Sequence, residues 1–404
     1  MTSIVRLATA LGGAALMLIA GAAFAQKKYD TGASDTEIKL GMAMPYSGPA
    51  SSYGIIGKVN EAYFRMVNDK GGINGRKVTL VSYDDQYSPP RTTEVVRKLV
   101  EQDEVLAVYG NLGSASNAAI QRYMNAKKVP HLFLGVGADR FNDPKTAPWT
   151  TPYMPSYESE GSLYAKNILK TMPGAKIAVL YQNDDFGKDL LKGLKKGLGD
   201  KASMVVAEAS FEVTDPTVDS QIIKLQSSGA DVFVNFATAR FAAQAIRKAW
   251  DIGWKPRQQY LTYVSAYVKM TLEPAGLEKS KGIMAMAFFK DAAQPRWAAD
   301  PATQQFLAFM KKYAPNEDAS NAAGVYGYGV AQAMEAVLKA SGDNLTRENL
   351  LKQATSLKNM HTDMLLPGIA LNTSATDYFP FNSLQLVQFN GQEFEPMGQS
   401  IGVK

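Results

Sequence analysis

Residues 105–120 read VLAVYGNLGSASNAAI, an apolar run that breaks at Gly110 into a Gly- and Ser-rich turn and resumes as small, helix-compatible residues. The run VLAVYG suits a strand buried on both faces, and the change of pattern predicts a helix from near Ser114. A strand passing directly into a helix is the unit of a parallel sheet, so the neighbouring segments decide the fold. Taken alone, the turn NLGSASN can hold a phosphate, present a nucleophilic serine, bind a carboxylate or merely connect two elements.

Upstream, EIKLGMAMP (37–45) reads as a strand, and Ile55, Val59, Ala62, Tyr63 and Met66 then recur at helical spacing. KVTLVSYDD is a second strand, and SPPRTTEVVRKLVEQ a helix opened by a Ser cap and early prolines. Downstream, a helix to about Lys127 leads into the strand PHLFLG. This alternation implies right-handed crossovers and a parallel sheet with helices on both faces. A second such run follows the proline-broken PWTTPYMPS, with strands KIAVLYQ, MVVAEASF, DVFVNFA and QYLTYVS between helical segments. The last third, from GIMAMAFF, adds helices near 301–313 and 321–340 and two short strands, LQLVQFN and EFEPMG. It has too few strands for a third domain, so it is expected to complete the first two. The fold class is therefore α/β, with two doubly wound parallel-sheet lobes.

The composition agrees: 404 residues, 46% hydrophobic and 20% charged, suit two globular domains. The N-terminus stands apart. MTSIVRLATALGGAALMLIAGAAFAQKK carries one early cation, Arg6, an apolar core and the small-x-small pattern Ala23-Phe24-Ala25, which predicts a signal peptide over residues 1–25, cleaved after Ala25. The expected location is the periplasm. Without Arg6 the chain holds 42 basic against 38 acidic side chains, dispersed, which gives no case for nucleic acid. With no cysteine and only His131 and His361, thiol chemistry and Cys- or His-rich metal centres are excluded. No metal and no cofactor is expected.

Enzyme motifs fail at particular residues. GSASN lacks the second glycine of a nucleophile elbow, and His131, inside PHLFLG, reads as a satisfied strand residue rather than a base. Asp84-Asp85 and Asp184-Asp185 end strands, where carboxylates commonly cap the next turn or helix. GVGADR has Arg140 where a dinucleotide loop needs its third glycine, and no Gly-Lys-Ser or Gly-Lys-Thr exists. A binding surface is left. Ligands of open parallel sheets bind beyond the carboxyl ends of the strands, which gives MPYSGPASSYG, NLGSASN, GVGADR, QNDDFG, ATARF and TYVSAY as the expected lining. At NLGSASN the free amides of a helix N-terminus and the hydroxyls of Ser114 and Ser116 suit a carboxylate, although a simple helix cap explains the same residues. Tyr46, Tyr53, Phe186, Tyr263 and Tyr267 stand in or beside these turns, where a ring can cover an apolar ligand.

MPYSGPASSYG, NDKGGINGRK, RKLVEQDEVLAVYGNLGS, KKVPHLFLGVGA and VLYQNDDFGKD, in that order, resemble the branched-chain amino-acid type of solute-binding protein that serves ABC importers. The resemblance runs from about Ile38 to Gly391 and implies the type I periplasmic binding protein fold, a hinged pair of lobes joined by three crossings. It implies an N-terminal lobe of 35–153 and 287–365 and a C-terminal lobe of 154–286 and 366–404. Leu112, Gly113 and Ser114 match the turn that offers amides and a hydroxyl to a ligand carboxylate, and Gly135, Val136, Gly137 and Ala138 match a second polar turn. Tyr53 matches a covering aromatic; Phe186 and Thr238 stand where the family often has tyrosine. Amino-acid binders place an acid just after the strand matching QYLTYVS, but Tyr263, Val264, Ser265, Ala266 and Tyr267 stand there instead. A buried ammonium without a counter-charge is costly, so the expected ligand is a small organic acid, aromatic or apolar, rather than an amino acid. The expected partners are that carboxylate and a membrane permease, with the protein a monomer. An amino-acid binder, a secreted hydrolase using Ser114, and a sensor domain are the alternatives.

Overall fold

Each strand-to-helix unit of the sequence becomes one layer step in the molecule. The computed structural model describes residues 27–403, so the signal peptide expected over 1–25 lies outside the described residues. The first sheet uses β1 (Glu37–Met44), β2 (Lys77–Asp84), β3 (Ala107–Tyr109), β4 (His131–Leu134) and β5 (Thr150–Pro152) in the order β2-β1-β3-β4-β5, all parallel. Helices α1 (Ile55–Asp69), α2 (Pro89–Glu101) and α3 (Ser114–Lys127) connect them. Alternate residues of β1 serve opposite faces: Met42 and Met44 join the core toward α1, whereas Ala43 joins Val96, Leu99 and Ile120 beneath α2 and α3.

The second sheet repeats this winding. After α4 (Tyr157–Thr171) come β6 (Ile177–Gln182), α5 (Asp185–Leu198), β7 (Val205–Phe211), α6 (Asp219–Gln226), β8 (Val232–Phe236), α7 (Ala239–Asp251), β9 (Gln258–Leu261) and β10 (Met284–Ala287). The order β7-β6-β8-β9-β10 is parallel and has the topology of the first sheet. In β6, Ile177 and Val179 face the inner core, and Ala178 and Leu180 the outer one.

The final third completes both lobes. After β10 the chain returns to the first lobe as α8 (Pro301–Tyr313), α9 (Ala322–Ser341), which packs on α1, and α10 (Arg347–Ala354). It then adds β11 (Ser383–Phe389) and β12 (Phe394–Pro396), antiparallel, to the edge of the second sheet. The chain thus passes between lobes three times: after Pro152, after Ala287 and before Ser383. The last two passages run side by side, with Lys290 N–H donating to the Met364 carbonyl at 2.7 Å and Leu366 N–H to the Phe288 carbonyl at 3.0 Å.

Local chemistry sets the helix starts. Asp184 accepts from Gly187 N–H, Asp300 from Thr303 N–H and Asn321 from Ala323 N–H. Ser88 stands at the cap position of α2, but its side chain makes no capping bond there; Pro89 at the first helical position has no N–H to cap. Two other details differ from expectation. The proline-broken PWTTP supplies an edge strand, β5, where a missing amide is tolerated. QYLTYVS pairs only as far as Leu261, after which Thr262–Ala266 turns, with Ser265 N–H on the Thr262 carbonyl at 2.9 Å. No helix among the described residues is long and apolar enough to cross a membrane.

Candidate functional site

The order β2-β1-β3 puts a switch point between the carboxyl ends of β1 and β3, and β7-β6-β8 puts one between β6 and β8. The turns leaving these four strands meet. They enclose a cavity of about 20 Å³, room for about one water, lined by Tyr53, Tyr87, Leu112, Gly113, Ser114, Gly135, Met154, Tyr157, Phe186, Thr238 and Val264. The lobes are closed on each other around it.

The first lobe presents the polar end. Gly113, at φ +97°, turns the chain into α3, whose first intrahelical bond is Asn117 N–H to the Gly113 carbonyl at 3.0 Å. The amides of Ser114, Ala115 and Ser116 therefore precede the helical ladder, as at any helix start. Beside them the Ser114 hydroxyl is buried with no hydrogen-bond partner. On the cavity wall this hydroxyl is free to donate to or accept from a group placed in the cavity. It is not paired to a base: His131 lies on β4, and neither of its ring nitrogens has a partner. That also corrects the expectation of a satisfied strand histidine; burial alone holds its imidazole neutral, lowering its pKa to about 3.

Tyr53 ties the lobes together. Its hydroxyl donates to the Val264 carbonyl at 3.0 Å and accepts from Ala239 N–H, at the start of α7, at 3.0 Å. Burial pushes the phenol up to about 12, so it keeps its proton. Further out, Arg140 pairs with Asp185 at 2.9 Å, and Asp139 N–H donates to Asp189 at 2.9 Å.

Of the expected contacts, Tyr53, Leu112, Gly113, Ser114, Gly135, Phe186, Thr238 and Val264 share this one wall. The Thr238 hydroxyl is spent on Gln182 at 3.1 Å. Val136 and Ala138 are fully buried behind the wall, and Gly137 packs where an added Cβ would lie 2.1 Å from the Pro155 carbonyl oxygen. Tyr263 also stands behind it, stacked on Tyr157 at 6.0 Å with its hydroxyl on the Pro155 carbonyl at 2.7 Å; with Tyr267, Asp291 and Gln294 it lines a neighbouring, mostly apolar cavity of about 40 Å³. Tyr46 is not on the wall. Gly57 leaves room for its ring to turn onto α1, where its hydroxyl meets Glu61 of α1 at 3.3 Å and Ser82 of β2 at 2.6 Å.

Three wall residues escaped the sequence reading: Tyr87, Met154 and Tyr157. Tyr87 and Gln86 are consecutive residues at positive φ, a conformation that swings the Tyr87 ring over Gly113. The sequence signal was the aromatic in YDDQYSPP, a strand-end turn like the others. Met154 and Tyr157 come from the first lobe crossing, whose place in the cleft depends on how the lobes close. The wall carries no carboxylate. The acids around it are Asp184, which caps α5, accepts from Gln182 at 2.7 Å and has its pKa raised by burial; Asp85, which accepts from Tyr87 N–H at 3.0 Å; Asp291, on the neighbouring cavity; and Glu160, behind the Thr262–Val264 turn.

Two wound lobes, three crossings and an interlobe wall of aromatic groups around the orphan Ser114 hydroxyl have the form of a bilobed binding protein. The sequence comparisons give the family: a model of the periplasmic binding protein family matches residues 37–393, and this chain belongs to that family. It is 25% identical over 320 residues, 76% of this chain and 79% of the relative, to Leu/Ile/Val-binding protein homolog 7 of Brucella suis. Among solved structures it resembles a branched chain amino acid ABC transporter protein from Thermus thermophilus with bound valine (TM-score 0.81, 15% identity, 92% of this chain and 97% of that one). It also resembles an ABC transporter solute-binding protein from R. palustris in complex with benzoate (TM-score 0.73, 21% identity, 91% and 98%).

Proposed function

We propose that this protein is the periplasmic receptor of an ABC importer, closing its lobes on a small organic carboxylate with an aromatic or apolar body and delivering it to a membrane permease. The observation that carries this is the unpartnered, buried Ser114 hydroxyl at the N-terminus of α3, in a wall of rings and aliphatic groups. Amides and a hydroxyl stabilise a carboxylate by donating hydrogen bonds to it, and Tyr53, Tyr87, Tyr157 and Phe186 cover its body. Closure and binding are then one event, because Tyr53 bridges the lobes at the same wall. Benzoate in one structural neighbour fits this chemistry.

A branched-chain amino acid is the second reading, favoured by the relatives named for Leu/Ile/Val and by the valine-bound neighbour. It requires a counter-charge for the ammonium group, and the wall offers none. Thermal-shift and calorimetric titration with benzoate, phenylpropenoate, a fatty acid and leucine separates the two. Stoichiometric binding of an aromatic acid without turnover is expected; micromolar leucine binding with no response to the acids overturns the proposal.

A further inference from the structure

Behind the Thr262–Val264 turn lies a carboxyl that the site as described does not use. Glu160, in the first turn of α4, is fully buried. Its Oε1 accepts from Tyr263 N–H at 2.7 Å and lies 2.8 Å from the Tyr164 hydroxyl oxygen, and its Oε2 lies 3.0 Å from the Thr262 hydroxyl. Tyr157, one turn earlier on α4, and Val264, one residue after Tyr263, both line the ligand cavity. Glu160 is therefore one layer behind the wall.

We propose that Glu160 is the residue that sets which ligand charge this cleft accepts: protonated, it leaves the wall neutral and open to an anion, and ionised, it repels a carboxylate and favours a cation through the same turn. The assignment rests on the carboxylate reading above only for the direction of the ligand response.

The titratable groups facing Glu160 are the phenols of Tyr157 and Tyr164 on its own helix and of Tyr263 on the turn, with Tyr260 beyond Tyr164; none is a cation. Two effects oppose each other. The start of α4 and the donated hydrogen bonds favour the anion, while removal from water disfavours it. Burial is the larger, and it pushes the carboxyl up to about 8 despite the bonds from Tyr263, Tyr164 and Thr262. Hydrogen-bond accounting is consistent with the neutral form. The Tyr164 oxygen accepts from Met286 N–H at 3.0 Å and lies 2.7 Å from the Leu261 carbonyl, which can only accept. If Tyr164 gives its one proton to Leu261, the Glu160 carboxyl must supply the proton between Glu160 and Tyr164. The low-dielectric surroundings then carry any charge on Glu160 to the wall with little screening.

The test compares wild type with Glu160→Gln, which keeps the shape of the neutral acid; unchanged circular dichroism verifies its fold. Carboxyl-carbon NMR of ligand-free, glutamate-labelled protein is expected to show one resonance titrating near pH 8, absent from Glu160→Gln. Calorimetric titration with benzoate is expected to show roughly tenfold weaker binding at about pH 9.5 than at about pH 6.5 in wild type, and none of that loss in the variant. A missing resonance, or an equal pH loss in both proteins, overturns the proposal. Leucine binding that strengthens between about pH 6.5 and 8.5 in wild type alone, with benzoate unbound, upholds Glu160 and overturns the carboxylate reading. If neither probe binds, the same pH comparison is made with phenylpropenoate and the fatty acid, and an acid that binds with equal pH loss in both proteins overturns the proposal, as does a missing resonance.

Discussion

The Tyr53 hydroxyl, carried by the first lobe, donates a 3.0 Å hydrogen bond to the Val264 carbonyl of the second, and the same oxygen accepts from Ala239 N–H. One phenol therefore latches two turns of the opposite lobe. Tyr53→Phe keeps the ring and removes the latch, leaving a buried carbonyl and amide unpaired. A cost of about 1–3 kcal/mol to the closed form is expected, seen as faster ligand dissociation and a more open average shape in small-angle scattering. An unchanged dissociation rate refutes the latch.

Ser114→Ala removes the orphan hydroxyl while keeping the amides of α3. Binding of a carboxylate is expected to weaken by roughly tenfold or more, and that of its neutral amide by less, since hydrogen bonds to charged groups are worth about 1.5–3 kcal/mol. Calorimetry with an acid and its amide measures both; equal losses disprove a carboxylate at this turn.

Gly113 is required twice over. Its φ of +97° is strained for any side chain, and an added Cβ would lie 2.5 Å from the Tyr87 ring. Gly113→Ala is expected to displace Tyr87 and cost about 1–3 kcal/mol of stability, with loss of ligand affinity beyond that of Tyr87→Ala. Urea unfolding and ligand titration of the two variants check this, and wild-type affinity in Gly113→Ala contradicts it.

His131 makes the fold sensitive to acid. Burial lowers its pKa to about 3 from an unfolded value near 6.5, so the unfolded chain takes up a proton that the native chain refuses. Its neutral form costs nothing extra above pH 6.5; as pH falls through the window from about 6.5 to 3, stability is lost by about 1.4 kcal/mol per unit. His131→Leu removes that slope. Urea midpoints at about pH 7 and 4.5 should converge by about 2–3 kcal/mol in the variant relative to wild type, and parallel losses in both proteins count against it.

At the outer cleft Asp139 of the first lobe faces Glu158 and Asp189 of the second, with Lys192 and Lys196 on Glu158 and Arg140 on Asp185. Burial, then the neighbouring acids, raises Asp139 to about 6 from an ordinary value of 3.8. Closure that holds this proton is fully favoured below about pH 4 and loses that advantage as pH rises through about 6. Ligand affinity should therefore be several-fold higher near pH 5 than near pH 7.5, and flatter in Asp139→Asn; titration at both pH values decides it.

Much of the fold was legible because its signals are local. VLAVYG before NLGSASN, or KIAVLYQ before NDDFG, shows the strand-to-helix change of period in a single window, and the helices Pro301–Tyr313 and Ala322–Ser341 carry their caps and periodicity with them. α10 was missed: eight residues, mostly polar, carry a weak period. The site was legible where a residue leaves a strand end directly, as Ser114, Phe186 and Thr238 do. Tyr46 leaves a strand end too, but a glycine on a neighbouring helix takes its ring away from the cleft.

The sequence by itself determined the two wound lobes, the turns that meet between them and the absence of an acid at Tyr263–Tyr267, because each follows from side chains a few residues apart. Only the tertiary structure decided that Tyr87, Met154 and Tyr157 join the wall, that Ser114 is left without a partner, and that an acid lies behind the turn after all. Glu160 is 103 positions from Tyr263, and it bears on the cleft only because α4 packs beneath β9 and the turn that follows it. Contacts of that range depend on packing and closure, which no local pattern of residues encodes.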